Sequence, residues 1–451
     1  MKACTCGSYT GRRILRRAAI LIIPIAAVLS GAEPAPSRSA LPEDVLVLAR
    51  TKQKVGAQLA QLTNYVCLQT AERWGRKSSD TPFALMDTLR FEVAQIGNAE
   101  MYAWPGAESF REQTPAELAG SGFASSGSFG AHLSAAFLSG GTVTTFAGAG
   151  ELNGRRALRY DYSVPSFLSV IALRVGRATG VASRKGSFWV DPQTFDVMRL
   201  RIEAEDIAAN IPLAAVVTNI DYARVRIGAR DLWLPQSADE TMTETSGQQF
   251  QNRVEHSHCR VYAAESVLSF GEGASASGPP VAARIKEIRL PAGLTLPVQL
   301  ETEVDSAKAA VGDLLAATIT TDIVANSSLR ISKGTTVHGR LRMVRREMEP
   351  VAHYIIGLEF SQIELGDKRA AFYARLQQPP VLPGLREYFT RTSRKSSQSG
   401  GGPVQAYTNE TVTTEQYRVA DLPGISVFIM NGTEFRLPKG LRMVWKTEET
   451  K

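Results

Sequence analysis

One short segment of this 451-residue sequence carries residue types that bind metal ions: His256-Ser257-His258-Cys259. Imidazole and thiolate groups are common ligands of zinc. On a β-strand, however, successive side chains point to opposite faces, so His256 and His258 share one face while Cys259 points to the other. We therefore predict no metal site here, and we interpret the pair as solvent-facing histidines beside a disulfide cysteine.

Nucleophilic catalysis needs an activated serine or cysteine, and the sequence offers one weak candidate. Ser128 lies four residues before His132, but outside a Gly-x-Ser-x-Gly turn and with no identifiable acid partner. Phosphate-cradling loops with the spacing of nucleotide-binding proteins are absent from the sequence. We predict a protein that is not an enzyme, with no catalytic residues and no cofactor. An enzyme with paired carboxylates stays open, because such pairs leave no spacing signature.

Three arginines, Arg340, Arg342 and Arg346, fall on one face of a predicted strand. Such a row can contact anionic lipid headgroups or glycans, which would make a peripheral membrane contact. The alternative, which we favour, is the solvated outer face of a strand.

The elements that would position a site begin with a helix over residues 41–62, whose apolar residues keep a three-four spacing. From Asn64 onward the apolar period changes to two, which is typical of strands with one apolar and one polar face. The predicted strands include 155–164, 214–227, 231–245 and 249–264. These segments predict one antiparallel sheet whose apolar face is covered by helices.

The apolar face of this sheet is the strongest candidate for ligand binding. A short apolar helix in the glycine-rich segment 117–141 is predicted to contribute to it. The predicted cavity residues are Phe91, Val93, Phe129, Phe137, Phe188, Val190, Met198, Leu200 and Ile202. If the helices cover the face fully, it is an ordinary core, and if they leave a gap, it is a cavity for a long apolar ligand. Segment 117–141 is correspondingly either a lid or an irregular cover.

Composition divides the chain into two predicted domains. A stretch without large apolar residues predicts a linker at 269–283, between a first domain at 41–268 and a second at 284–451. The second domain is predicted to be a small β-barrel with a polar, mobile loop at 392–403. The predicted fold class is mainly β (α+β): an antiparallel half-barrel wrapped on helices, followed by this β-barrel.

A turn motif occurs three times in the second domain: Leu290-Pro-Ala-Gly293, Ile331-Ser-Lys-Gly334 and Leu437-Pro-Lys-Gly440. Each precedes a run rich in Val, Leu and Thr. A glycine at the fourth position suits a tight turn that leads into a strand.

The first 32 residues have the organisation of an export signal. Four arginines precede an apolar run at 18–29, and Ser30-Gly31-Ala32 supplies small residues for a cleavage site. A retained transmembrane helix is the alternative, but residues 18–32 would span only about 22 Å of a hydrocarbon core of about 30 Å. We predict a signal peptide, 1–32, that is cleaved, and a mature chain in the periplasm or cell envelope.

Cleavage changes the charge and the cysteine content. The chain has a formal charge of +7, and five basic residues and no acidic ones lie in the signal, so the mature chain is near neutral. We therefore predict no nucleic-acid partner. Cys67 and Cys259 remain, and we favour a disulfide between them over two buried free thiols. For so long a loop the chain-entropy model gives about 5 kcal/mol of stabilisation.

Several of these motifs resemble a known family. The amphipathic helix before Asn64-Tyr-Val-Cys67, the strand and turn Gly186-Ser-Phe-Trp-Val-Asp-Pro-Gln-Thr194, and the strand pair Tyr222…Asp231-Leu-Trp-Leu-Pro235 resemble the LolA/LppX-like periplasmic lipoprotein and lipid carriers. The resemblance covers about residues 41–268 and implies an incomplete barrel that holds acyl chains in its hollow. The longer segment 117–141 and the additional domain depart from the family.

The second domain, from Leu290 to Arg340, is similar to the C-terminal β-barrel of the VirB10/TrbI-like secretion-channel proteins. This resemblance implies an envelope protein partner and no activity. Together, the sequence predicts an exported cell-envelope binding protein that holds a lipid or lipoprotein acyl chain in an apolar half-barrel. The alternative is a structural or scaffold module of an envelope assembly without a small-molecule ligand.

Overall fold

The computed structural model describes residues 41–62, 64–96, 99–107, 110, 118, 130–165, 171–175, 178–262, 288–324, 329–347, 352–366, 368–378, 380–383, 385–389, 404–406, 412–414 and 424–449. The predicted signal at 1–32, linker at 269–283 and loop at 392–403 lie outside these residues, as does Phe129. Residues Glu43–Lys451 form one compact unit. The division into two domains stays a prediction.

Helical structure in the described part of the chain is confined to the first half. Helix α1, Glu43–Ala60, begins with Glu43 and Asp44, whose charges favour a helix N-terminus. Helix α2, Ala131–Leu133, continues directly as a π-helical segment, Ser134–Leu138. The predicted helix over 41–62 is confirmed, and the predicted apolar helix in segment 117–141 is present from Ala131 onward.

The first eleven strands form one curled antiparallel half-barrel, the first sheet. They are β1 (Tyr65–Arg76), β2 (Ala84–Ile96), β3 (Ala99–Ala103), β4 (Val143–Leu152), β5 (Arg155–Val164), β6 (Ile171–Val175), β7 (Ala178–Val190), β8 (Val197–Glu205), β9 (Leu213–Ile227), β10 (Arg230–Glu244) and β11 (Gln249–Val261). Their order is β3-β2-β1-β11-β10-β9-β8-β7-β5-β4, with β6 paired to β7. Most neighbours are consecutive in the chain, and β1 pairs with β11 where the first strand meets the last.

Alternation of polar and apolar residues sets the two faces of this sheet. Along β5, Leu158, Tyr160 and Tyr162 are buried, whereas Arg159 and Asp161 between them are exposed. The buried side is the inner face, which packs against α1 and the π-helical segment. Helix α1 is fixed there partly by Tyr160, whose hydroxyl donates to the carbonyl of Asp44 at 2.7 Å. The predicted half-barrel with helices on its apolar face is confirmed.

The remaining strands form a second sheet, antiparallel except for the parallel pair β12 and β20, and three small ladders. They are β12 (Ile288–Arg289), β13 (Thr295–Leu300), β14 (Val304–Asp305), β15 (Leu314–Ile319), β16 (Ile323–Val324), β17 (Arg330–Ile331), β18 (Thr336–Glu347), β19 (His353–Leu365), β20 (Lys368–Ala371), β21 (Tyr373–Gln378), β22 (Leu385–Phe389), β23 (Val404–Ala406), β24 (Val412–Thr414), β25 (Ile425–Asn431), β26 (Arg436–Leu437) and β27 (Arg442–Glu448). The second sheet has the order β12-β20-β19-β18-β15-β13-β27-β21, with β25 pairing β19 and β22.

The three predicted turns are all present. Gly293, Gly334 and Gly440 have φ values of 90°, 85° and 89°, a left-handed conformation that glycine adopts without a Cβ penalty. Strands β13, β18 and β27 begin shortly after them.

The two sheets meet at a junction on strand β2 and the residue that follows β3. The backbone of Val311 exchanges hydrogen bonds of 2.8 Å with Thr88 and Arg90. The Arg90 guanidinium also lies 2.5 Å from the Asp313 carboxylate. Trp104 packs here against the arginine face of β18.

The predicted solvated face of Arg340 and Arg342 is wrong because this junction covers it. Arg340 donates to the carbonyls of Gly312 and Pro105 at 2.5 Å and 3.0 Å. The guanidinium groups of Arg340 and Arg342 lie 5.6 Å and 5.0 Å from the centre of the Trp104 ring. Burial lowers the pKa of Arg340 to about 10. Alternation indicated that these side chains share a face, but it could not show what would cover that face.

Candidate ligand-binding interior of the first sheet

The inner face of β7, β8 and β9 carries rows of large apolar side chains. Phe188 lies opposite Leu200, and Leu200 lies opposite Ile220 across the next pair of strands. Tyr160 of β5 stacks on Phe188 with the ring centres 5.2 Å apart. These cross-strand contacts build a row of large apolar side chains along the concave side of the half-barrel.

The described cavity residues predicted from the sequence are all buried, and all except Met198 belong to the hydrophobic core. Their exposed fractions are Phe91 0%, Val93 0%, Phe137 4%, Phe188 0%, Val190 0%, Met198 7%, Leu200 0% and Ile202 4%. A side chain with no accessible surface lines no void that water can enter. In this conformation the face is therefore packed, and its use as a cavity stays a prediction that requires the cover to move.

The cover over this face is the π-helical segment together with α1. Phe137 points into the half-barrel, with its ring centre 4.5 Å from that of Phe188. The next residue, Leu138, is 46% exposed. π-Helical turns are rare and occur frequently at functional sites. A five-residue segment that inserts one aromatic ring is a small element to displace, so it could act as a plug.

A polar cluster interrupts the apolar interior. We call Arg184 and Tyr162 the polar centre, and His132 and Tyr222 are further polar side chains of this interior. Arg184 is only 2% exposed, and Tyr162 and Tyr222 are 4% and 6% exposed. Arg184 lies opposite Val164 and Tyr162 lies opposite Gly186, so Arg184 and Tyr162 are diagonal neighbours on β7 and β5. The hydroxyl groups of Tyr162 and Tyr222 have no hydrogen-bond partner among the described residues.

Burial controls the protonation of this cluster. It raises the pKa values of Tyr162 and Tyr222, although Arg184 partly offsets the rise at Tyr162. Burial, reinforced by the charge of Arg184, lowers the pKa of His132 to about 3. At neutral pH both tyrosines are therefore protonated donors and His132 is neutral.

Sequence reasoning missed the polar centre, although a signal for it was present. Arg184 precedes Gly186 by two residues and Phe188 by four. Alternation along β7 therefore places Arg184 on the inner face together with Phe188. A charged residue at such a position contradicts an apolar inner face, so it carries information. Tyr162 has the parity of Leu158 and Tyr160 in the same way.

A second row of buried polar side chains lies in the opposite part of the sheet. The Arg73 Nε donates to Asp87 at 2.5 Å, and a second bond joins the same two side chains. Asn252 and Glu240 continue the row on β11 and β10. Arg73 and Asp87 are mutually satisfied, and Asp87 lies three strand spacings from Glu240. This row therefore reads as structural and not as a pair of catalytic carboxylates.

The predicted disulfide between Cys67 and Cys259 is present, across a sequence separation of 192. The register of β1 and β11 shifts beside it, and His258 adopts a φ of 51°. This irregularity leaves His258 exposed, whereas both ring nitrogens of His256 are buried. Burial lowers the pKa of His256 to about 4. The interpretation of two solvent-facing histidines is therefore wrong for His256.

Two further observations concern the described residues alone. They contain no group of three His, Cys, Asp or Glu side chains placed to hold a metal ion. None of their helices is both long enough and apolar enough to cross a membrane.

A groove of about 340 Å³ lies on the outer face of the first sheet, on the side away from the predicted cavity. Charges of both signs line it, including Arg159, Asp161, Lys185 and Glu203. Arg159 lies 2.9 Å from Asp161, so part of this charge is internally paired.

This chain is similar to some known proteins in structure and matches none in the comparisons of sequence. No family model matches the sequence. No curated protein matches it either.

Several solved structures resemble about half of this chain. A domain described as an outer membrane lipoprotein-sorting protein, from Vibrio parahaemolyticus, is 10% identical, with a TM-score of 0.26 and coverage of 48% of this chain and 93% of its own. A LolA superfamily protein from Nitrosomonas europaea is 9% identical, with a TM-score of 0.25 and coverage of 48% and 94%. A DUF1329 family protein from Desulfovibrio piger is 8% identical, with a TM-score of 0.26 and coverage of 49% and 95%.

These TM-scores are too low for the similarity to carry an argument about function. Nothing in the comparisons supports the resemblance of the second domain to the VirB10/TrbI-like barrel, which stays a prediction.

Proposed function

We propose that this chain is an exported binding protein of the cell envelope that holds a lipid or acyl chain against the inner face of its first sheet. The observation that carries the proposal is the Phe137 plug. One aromatic ring on a short π-helical segment fills the space above Phe188, 4.5 Å away. If the segment moves outward, the apolar row beneath it is open to a ligand of the same chemistry.

The chemistry of the inner face supports an acyl chain as occupant. Apolar residues such as Phe91, Phe188 and Leu200 line it, and burial of such surface is favourable by about 25 cal/mol per Å². A long chain would follow the row across neighbouring strands. Displacement of the plug exposes the Phe137 ring to water, which costs free energy. Burial of the ligand against the inner face offsets this cost.

The alternative is a scaffold module whose interior is permanently packed. The complete burial of Phe91, Phe188 and Leu200 favours it. The two proposals differ in one observable, which is whether the native protein carries or takes up an amphiphile.

The test begins with the full chain, expressed with export and purified without denaturant or detergent. Native mass spectrometry is expected to show a population heavier by one amphiphile, and solvent extraction should release it. The intact mass of the protein itself also shows whether the chain is cleaved after Ala32. A protein of apo mass that also fails to take up a fluorescent long-chain probe would contradict binding and favour the scaffold.

The plug is tested by a matched pair of neighbouring substitutions. Phe137→Ala removes the buried ring, so we expect faster uptake of the probe together with a loss of about 3–5 kcal/mol in unfolding free energy. Leu138→Ala changes a half-exposed neighbour in the same segment and should leave the uptake rate unchanged. Equal uptake rates in both variants and the native protein would show that Phe137 does not gate the interior.

A further inference from the structure

A second groove, of about 680 Å³, lies at one edge of the second sheet. One wall is the start of β27 with the turn before it, Pro438–Val444, and the other wall is formed by Gln378 and Val381–Pro383. We call it the edge groove. None of its lining residues belongs to the first sheet or to the plug, so a role for it does not depend on the proposed function.

The edge groove exists because two neighbouring strands separate. Strand β21 pairs with β27 as far as Gln378, which lies opposite Val444. The next two residues, Pro379 and Pro380, carry no backbone N–H and therefore cannot donate a hydrogen bond to a neighbouring strand. Strand β27 begins at Arg442, so its first residues extend past the end of β21.

The backbone of Arg442 is directed into the edge groove. The carbonyl of Leu441, the residue before it, accepts a hydrogen bond of 2.8 Å from Leu300 on the side of β13. Backbone groups of successive residues in an antiparallel strand point to opposite sides. Those of Arg442 therefore point away from β13, toward the space beyond the end of β21. An extended chain in the edge groove could continue the sheet by pairing with Arg442.

The charge of the edge groove is positive. Lys439 and Arg442 line it, and its described lining residues include no carboxylate. The amine of Lys439 lies 3.0 Å from Glu301, which is not a lining residue. Arg442 is exposed and makes no ion pair with a described residue. A strand that enters the groove is therefore favoured if it carries acidic side chains.

The same charge argues against a second copy of this chain as the occupant. Two β27 edges paired about a twofold axis would bring Lys439 and Arg442 of one copy close to those of the other. Like charges opposite each other destabilise a pair of strands, and edge strands often carry charges that prevent self-association. A partner of opposite charge does not meet this obstacle.

We propose that the edge groove binds an extended acidic segment of a partner protein, which adds a strand to the open edge of β27. Its backbone would exchange hydrogen bonds with Arg442, and a glutamate or aspartate beside that position would pair with the guanidinium. Apolar side chains of the same segment would cover Val381, which is 98% exposed, and the neighbouring Leu382. The partner is therefore recognised by an alternation of acidic and apolar residues.

Peptide affinities of the full chain, measured by fluorescence anisotropy at pH 7, test the charge preference. The probes are three short labelled peptides in which valine alternates with glutamate, with threonine or with lysine. We expect the glutamate peptide to bind about tenfold more tightly than the threonine peptide, and the lysine peptide not to bind. Equal affinities for all three peptides, or no binding of the glutamate peptide, would overturn the proposal.

Backbone pairing is tested by N-methylation of the glutamate peptide. In an added strand only every second N–H faces β27. Two versions, one methylated at the odd positions and one at the even positions, should therefore differ, because one loses the bonding N–H groups and the other keeps them. Equal affinities of the two versions would show that the peptide is not held as a strand.

A charge reversal assigns the preference to the edge groove. Arg442→Glu should weaken binding of the glutamate peptide about tenfold and allow the lysine peptide to bind. Arg330→Glu is the control, because Arg330 is an exposed arginine of β17 that does not line the groove, and its substitution changes the net charge equally. The same effect of both variants would indicate a nonspecific attraction, and an unchanged preference in Arg442→Glu would also overturn the proposal.

Hydrogen exchange locates the added strand. The glutamate peptide should slow exchange in residues 438–444 and leave exchange unchanged in β4, the strand at one end of the first sheet. Slower exchange in β4 as well would mean that the peptide adds to any open edge, which contradicts a specific groove. None of these measurements requires an amphiphile, so failure of the proposed function and failure of this inference are observed separately.

Discussion

At the scale of single residues, the interior is defined by side chains that contradict its apolar character. Arg184, His132 and His256 are all placed on or against the inner side of a half-barrel that otherwise buries Phe, Leu, Ile and Val. Burial disfavours the charged form of each, so the pKa values of the two histidines fall to about 3 and 4. A group kept neutral by folding makes stability depend on pH.

His256 gives the pH prediction. Its pKa is depressed on folding, so below about pH 6.5 the unfolded chain binds a proton that the folded chain does not, until about pH 4. Stability is therefore fully present above pH 6.5 and is lost as the pH falls. Between pH 7 and pH 5 the contribution should be about 1–2 kcal/mol, allowing for partial exposure of the ring. Urea unfolding at both pH values measures it.

Substitution separates this histidine from the carboxylates that titrate nearby. His256→Gln should lose less stability between pH 7 and pH 5 than the native chain does. His258→Gln, on the exposed neighbour, should behave as the native chain. The same pH dependence in all three proteins would show that His256 is not responsible.

At the scale of elements, the junction between the sheets depends on a close approach of backbones. Gly312 has a φ of 108°, and a Cβ there would lie 2.3 Å from the Arg90 carbonyl oxygen and 3.0 Å from the Trp104 ring. The backbone of Arg90 is held at this position by its N–H bond to the Val311 carbonyl. The junction therefore tolerates only glycine at this position.

Gly312→Ala is expected to destabilise the protein by about 3 kcal/mol or more, because it adds overpacking to an unfavourable backbone conformation. Gly293→Ala is the matched control. Its φ is 90°, but no atom lies within 4 Å of a Cβ there, so only the conformational cost of about 1 kcal/mol should remain. Urea unfolding of both variants gives the difference, and equal losses would mean that the junction yields to the added methyl group.

Local pattern predicted the elements better than it predicted their contacts. Strand β5 was predicted with its observed bounds, because alternation over ten residues is a strong local signal. Strand β11 ends at Val261 within the predicted range 249–264, and the last two residues of that range lie outside the described part of the chain. The glycine turns before β13, β18 and β27 were also local and were predicted correctly.

The candidate site shows the limit of such reasoning. Alternation placed Phe188 and Leu200 on the inner face, but could not decide whether a cover packs against them. Arg340 and Arg342 were assigned to solvent because their partner, Trp104, is more than 200 residues away in sequence. Nothing in a local pattern identifies a contact at that separation.

At the scale of the whole molecule, the first sheet has a seam where its first strand, β1, meets its last, β11. Closing the seam brings together residues separated by 192 positions, which carries a large loop-closure entropy. The disulfide between Cys67 and Cys259 sits on this seam. Strand β2, which holds Val311 of the second half, is the immediate neighbour of β1. The pairing of β1 with β2 therefore connects the seam to the junction.

Removing the disulfide should weaken both sheets at once. We expect Cys67→Ala with Cys259→Ala to lower the unfolding free energy by about 3–5 kcal/mol, because the denatured chain regains the entropy of an open loop. Alanine is chosen because a serine hydroxyl at the fully buried Cys67 would add its own penalty. Hydrogen exchange should then accelerate in β13, β15 and β18 as well as in β1 and β11, since Val311 loses its support when β2 opens. Faster exchange in the first sheet alone would show that the two halves unfold independently, and a stability change below 1 kcal/mol would show that the seam holds without the bond.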